Sequence, residues 1–111
     1  MDGATEQDGG ELVFRALADA TRRGILDLLR EGPRTTGELA DAFPGLSRFG
    51  VMKHLGVLER AHLVVTERVG RTKRHHLNPI PIREIHDRWI SNYAEPVVVG
   101  LLALRDRAEG A

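Results

Sequence analysis

Apolar residues recur along most of this chain at helical spacing, and in one stretch they change to the two-residue period of strands. Leu12, Val13, Ala16 and Leu17 begin a first helix, and Ile25, Leu26, Leu28 and Leu29 give a second helix its buried face. Asp19 is placed to cap that second helix and Gly32-Pro33 to end it. Thr35 with Glu38 forms a capping box opening a short helix that carries Leu39, Ala42 and Phe43 inward. Pro44-Gly45 then supplies a turn. Ser47 caps a longer helix, with Leu46 and Val51 at the two positions of a hydrophobic staple. Val51, Leu55 and Leu58 line one side of it, while Phe49, Met52, Lys53, Gly56 and Arg60 fall roughly opposite.

Beyond this helix the pattern predicts two short strands, VVTERV and KRHHL, around a hairpin connection at Gly70-Arg71-Thr72. Asn78, Pro79 and Pro81 end the hairpin and start a final helical region. There Ile82, Ile85, Trp89 and Tyr93 follow helical spacing, and Val97, Leu101 and Leu104 resume it after Pro96, which is expected to kink or split the helix near Glu95. Residues 1–10 carry acids and glycines without a core-forming pattern and read as a flexible acidic leader; residues 11–111 read as one domain.

A short capped helix, a tight turn and a longer helix with a polar outer face make a helix-turn-helix, and the hairpin after it makes a wing. The fold class is therefore mainly α (α+β), a winged helix-turn-helix with a two-stranded hairpin and helices at both ends. Charge sharpens this. The 111 residues hold 16 Lys and Arg against 16 Asp and Glu, a formal net charge of zero that argues against a nucleic-acid partner. Its distribution argues for one. Asp2, Glu6, Asp8, Glu11 and Asp19 load the N-terminus with acid, whereas Arg48, Lys53, Arg60, Arg68, Arg71, Lys73 and Arg74 face only Glu59 and Glu67 over residues 47–76. DNA binding is thus expected to be local and strongly salt-dependent.

Other chemistries find little here. With no cysteine, disulfides and thiolate metal sites are excluded. The longest apolar stretch, residues 97–104, is too short to span a bilayer, and no signal peptide is seen, so a cytoplasmic protein is expected. No phosphate-cradling glycine loop or nucleophile elbow occurs, and the adjacent His86 and Asp87 point about 100° apart on a helix, which predicts no enzyme and no cofactor. His86 has no second histidine after it, so no metal site is expected.

The ordered run LADATRRGILDLLREGPRTTGELADAF, LSRFGVMKHLGVLERAHLV and the wing ending HHLNP resembles the winged-helix repressors of the ArsR/SmtB type over roughly residues 12 to 79. That resemblance implies a homodimeric transcriptional regulator on operator DNA, its first and last helices forming the dimer interface. Leu12, Phe14, Trp89, Ile90, Val97, Leu101 and Leu104 would serve there. The thiolate site of arsenic or lead sensors has no counterpart in GELADAF, and the Phe49, Met52, Lys53, His54, Leu55 pattern looks most like a metal-independent branch. His62 stands where the family usually has a glycine that ends the longer helix in a left-handed conformation.

The DNA-contacting residues read from the chain are Thr36, Ser47, Arg48, Phe49, Met52, Lys53, His54, Arg71, Lys73 and Arg74. Arg48 and Lys53 suit guanine edges or phosphates, Phe49 and Met52 suit thymine methyls, and the wing cations suit phosphates. Arg22 and Arg23 sit in a helix's first turn, unfavourably for its dipole, and an intramolecular partner is expected for Arg22. Two rival readings stay open: a winged-helix module that binds protein partners without reading DNA, and a repressor responsive to a metal or small-molecule effector through the last helix.

Overall fold

The computed structural model describes the backbone of residues 2–110 and the side chains of residues 9–93 and 98–110. Its elements are α1 (Asp2–Leu17), α2 (Ala20–Glu31), β1 (Arg34–Thr35), α3 (Thr36–Ala42), α4 (Arg48–Arg60), β2 (Val64–Val69), β3 (Thr72–Leu77), α5 (Ile80–Ile85), a π-helical turn (His86–Ile90) and α6 (Ser91–Gly110). They form two compact units, Met1–Pro81 and Ile82–Ala111.

The first unit is built on the stripes the sequence predicts. Ile25 of α2, Leu39 of α3 and Val51 and Leu58 of α4 are wholly buried, with Leu63 closing the floor between α4 and the wing. Each such side chain contributes about 1.5–3 kcal/mol by leaving water. Ala42, expected inward, is instead exposed, because α3 ends there and the next residue, Phe43, takes the inner place. The Phe43 ring lies over Gly24, where a Cβ would stand 3.3 Å from it, so a glycine in α2 makes room for the close approach.

Side chains tie the helices together at their ends. Asp19 accepts from the backbone N–H of Arg22 at 3.0 Å, the predicted N-cap. Arg22 in turn donates from Nε to the Ala16 carbonyl at 2.9 Å and from a guanidinium nitrogen to the Arg15 carbonyl at 2.9 Å, while Arg23 donates to the Leu17 carbonyl at 2.7 Å. The two cations that seemed misplaced at the start of α2 thus satisfy carbonyls left open at the end of α1.

The sheet has three strands in the order β1-β3-β2, all antiparallel, where the sequence predicts two. β1 is a two-residue strand between Pro33 and the α3 cap, too short to carry a period. The turn between β2 and β3 is two residues, Gly70-Arg71, with Gly70 at φ +62°, as a tight hairpin with glycine in its first central position requires.

α4 ends in a left-handed conformation although His62 stands in place of the family's glycine, a departure that puts this cap geometry in doubt. His62 has φ +61°, its N–H donates to the Glu59 carbonyl at 3.0 Å, and the Leu63 N–H donates to the Leu58 carbonyl at 2.9 Å, the paired bonds of a Schellman motif. Asn78 locks this loop, its side-chain amide donating to the His62 carbonyl at 2.7 Å.

In the second unit the backbone of α6 runs unbroken from Ser91 to Gly110, so of the kink or split expected near Glu95 the split does not occur. The irregularity lies earlier, in the π-helical turn His86–Ile90. Trp89 and Tyr93 meet there at 5.4 Å between ring centroids. No helix among the described residues is long and apolar enough to cross a membrane.

A left-handed backbone at a residue with a Cβ costs about 1–2 kcal/mol that glycine does not incur. His62→Gly is therefore expected to raise the unfolding free energy by about 1 kcal/mol in urea denaturation. A variant no more stable than the parent would show that the Asn78 bond already removes the strain.

Candidate nucleic-acid interface

The outward face of α4 is set by the burial of its inner one. With Val51, Leu55 and Leu58 buried, Arg48, Phe49, Met52, Lys53 and Arg60 are left in solvent. Ser47 starts the helix, its hydroxyl accepting from the Gly50 N–H at 3.0 Å. Phe49 is 70% exposed and Met52 52%, unusual for side chains of this size, and the Lys53 ammonium stands 5.8 Å from the centre of the Phe49 ring. His54 turns the other way. Half-buried, it accepts at Nδ1 from the Arg22 guanidinium at 3.3 Å, with Asp19 3.9 Å away, and so braces α4 against α2. The N–H of Arg22 received by Asp19 holds that carboxyl below its ordinary value, and the Thr35 amide and hydroxyl do the same for Glu38.

On the wing, strand alternation sorts the cations. Arg68 lies directly across from Lys73, on the face that Thr66 and His75 share, whereas Arg74 lies across from Glu67 on the other face. Lys73 and Arg74, adjacent in sequence, therefore do not act on the same side. Two cations directly opposite repel. Arg68, absent from the sequence-derived contacts, shares the face of Lys73, as counting alternate positions from Val64 shows. Arg71 sits at the exposed hairpin tip.

Both acids of this region are engaged internally. Glu67 holds the His76 ring at 2.9 Å, and Glu59 accepts from the Thr66 hydroxyl at 2.7 Å. None of Arg48, Lys53, Arg60, Arg68, Arg71, Lys73 and Arg74 lies within ion-pair distance of a described carboxylate. The local excess of positive charge is thus presented to solvent without a contact ion pair, and Arg74 feels a more distant acid, Glu38.

Beneath this surface lies a hydrogen-bonded chain that sequence pattern does not reveal. His75, 2% exposed, meets the Thr36 hydroxyl at Nε2 at 2.8 Å and the Thr66 hydroxyl at Nδ1 at 3.2 Å, with Glu59 at 4.0 Å. Thr66 has given its proton to Glu59, so it can only accept from Nδ1–H, and the neutral ring accepts from Thr36 at Nε2. Alternation along β3 indicated that only one of His75 and His76 faces out; the structure makes it His76. Thr36, half-buried, is consequently bound on its inner side.

A buried-stripe helix held over a turn, with an exposed apolar-cationic face and a basic hairpin beside it, defines a winged helix-turn-helix DNA-binding protein. Comparison with known proteins agrees. A family model described as a helix-turn-helix domain matches residues 17–67. The transcriptional repressor SdpR of Bacillus subtilis is 35% identical over 81 residues, covering 73% of this chain and 88% of its own. The HTH-type transcriptional regulator Rv2034 of Mycobacterium tuberculosis is 44% identical over 67 residues, 60% of this chain and 62% of its own. Among solved structures, an ArsR-like transcriptional regulator from Rhodococcus superposes with a TM-score of 0.74 at 28% identity, covering 97% of both chains. A further ArsR family regulator gives 0.71 at 31% identity over 80% of this chain and 90% of its own. The chain belongs to the ArsR family of helix-turn-helix transcriptional regulators, a class of DNA-binding proteins and not of enzymes.

Burial pulls the His75 imidazole below its ordinary value, and the Glu59 carboxylate opposes this only in part. The unfolded chain consequently takes up the proton first, so stability is fully present above about pH 6.5 and declines as pH falls below it. The urea midpoint is expected to drop from pH 7.5 to 5.5, and to drop less in His75→Gln. A midpoint that rises on acidification would contradict the assignment.

Proposed function

We propose that this regulator is a homodimeric, metal-independent repressor, working in the cytoplasm, that binds a palindromic operator. The observation that carries this reading is the cation set on α4 and the wing, outside contact ion pairs with described carboxylates and beside two acids already engaged elsewhere. Each protomer places the N-terminal half of α4 in a major groove, the half-sites lying about 34 Å apart. Arg48 and Lys53 meet base edges or phosphates, Ser47 and Thr36 approach the backbone, and Phe49 and Met52 touch thymine methyls. His54 contributes by bracing the helix. Repression, as in the name of the Bacillus relative, follows from occupying a promoter.

Pairing is supported by apolar side chains that the chain leaves in water. Phe14 on α1, and Trp89, Ile90, Leu101 and Leu104 in the second unit, are all exposed at 39% or more. Leu12 is half-buried, and the side chain of Val97 lies outside the described residues. A second copy is the partner that covers such residues in a domain this small.

On the wing, the phosphate contacts are Arg68, Arg71 and Lys73. Arg74 is secondary, since strand alternation puts it on the face opposite Arg68 and Lys73. The triple change of Arg68, Arg71 and Lys73 to Ala is expected to weaken binding to every duplex and to reduce the salt slope by about 0.9 per lost phosphate contact, with Arg74→Ala changing it far less. Anisotropy titrations at several salt concentrations check this, and an unchanged slope in the triple variant would remove the wing from the interface. Replacing thymine by uracil deletes only the 5-methyl group. Each methyl met by Phe49 or Met52 is expected to contribute about 0.8 kcal/mol, about fourfold in affinity. Equal binding of thymine and uracil operators by the parent would exclude these contacts.

A further inference from the structure

Thr36 has one hydroxyl proton, and the buried ring behind it decides where that proton goes. With His75 neutral, Nδ1–H is directed to Thr66 and the bare Nε2 takes the Thr36 proton at 2.8 Å. Thr36 then offers the outside only lone pairs, which a phosphate oxygen cannot use. With His75 protonated, Nε2–H donates to the Thr36 oxygen and the hydroxyl proton turns free. It can then be donated outward, and a positive charge lies one residue behind it.

We propose that His75 is a positioning residue for DNA binding: protonation of its ring reverses the Thr36 hydrogen bond and lets Thr36 donate to a DNA phosphate, so that binding takes up a proton. The inference rests on the reading of the α3–α4 side as the DNA face. Thr36 is half-buried and its hydroxyl is held by the ring, as such a relay needs.

The groups around the ring allow this protonation on contact with an anion. From α4, Glu59 at 4.0 Å favours the cation; from β2, Thr66 passes on that carboxylate's influence, and Arg68 is the next residue on the same face. From β1, Arg34 pairs with His75 in register, and on β3 itself Lys73 and His76 oppose the charge. From α3 the partner is the neutral Thr36, and α2 buries only Ile25, Leu26 and Leu29. The opposing cation Lys73 is one that the phosphates neutralise. DNA therefore favours the protonated ring twice, by accepting from Thr36 and by screening this repulsive neighbour.

The test is an anisotropy titration of an operator duplex at pH 8.0, 7.0 and 6.0 with the parent, Thr36→Val and His75→Gln, alongside NMR titration of the His75 ring in the parent, free and DNA-bound. Binding by the parent is expected to tighten on acidification, up to tenfold for each unit by which DNA raises the His75 pKa. Thr36→Val, which removes the hydroxyl and keeps the shape, is expected to bind more weakly at pH 6.0 and to lose the pH dependence, as is His75→Gln. A parent and a Thr36→Val variant with the same pH slope, or a His75 titration unmoved by DNA, would overturn the relay while leaving DNA binding intact. A parent that binds no duplex at any of these pH values would overturn the DNA reading and the relay together.

Discussion

An imidazole removed from water must find a partner for each nitrogen, and in this protein those partners come from three different elements. Thr36 belongs to the first helix of the helix-turn-helix, Thr66 to the first wing strand, and Glu59, reached through Thr66, to the last turn of the reading helix. Leaving one of these groups unpaired would cost about 1–3 kcal/mol, so the chain of bonds fixes the hairpin against the helices more sharply than apolar contact alone would. Apolar packing sets distances here. The polar chain sets direction.

The same bonds shape the electrostatics. A protein with zero net charge has no general attraction for DNA, so its affinity has to come from the local arrangement of charge. Glu59 and Glu67, the acids of α4 and the wing, are each turned to an internal partner, one hydroxyl and one histidine. Neutral composition and a cationic face are thereby compatible, since the acids serve the fold while the bases face solvent.

Much of this was visible in the chain beforehand. The Thr35 and Glu38 box, the Ser47 cap and the Val51, Leu55, Leu58 stripe locate the helix-turn-helix because caps and periodicity are local properties. The resemblance marked position 62 as a helix end, and the histidine there left its left-handed geometry open until the structure was in hand. What escaped notice depended on pairing across distance. β1 is two residues long and exists only because β3 lies beside it, and the Arg68–Lys73 opposition depends on register. His75 looked like one of two alternating histidines until three elements closed around it. The intramolecular partner expected for Arg22 is present, but it consists of carbonyls at the end of α1 and the His54 ring, and Arg23 has one of the same kind, which periodicity does not reveal. Pro96 shows the limit of a rule based on one residue, for the helix absorbs it without breaking.

The Arg22 clamp has a mechanical side. One guanidinium grips the end of α1 and, through His54, the middle of α4, so it acts as a pivot shared by two rods. A rod of 16 residues is about 24 Å long, and a tilt of about 10° at one end displaces the other by about 4 Å. Whatever grips the far part of α1 therefore holds a lever on the reading helix, with His54 as the point where leverage is transmitted.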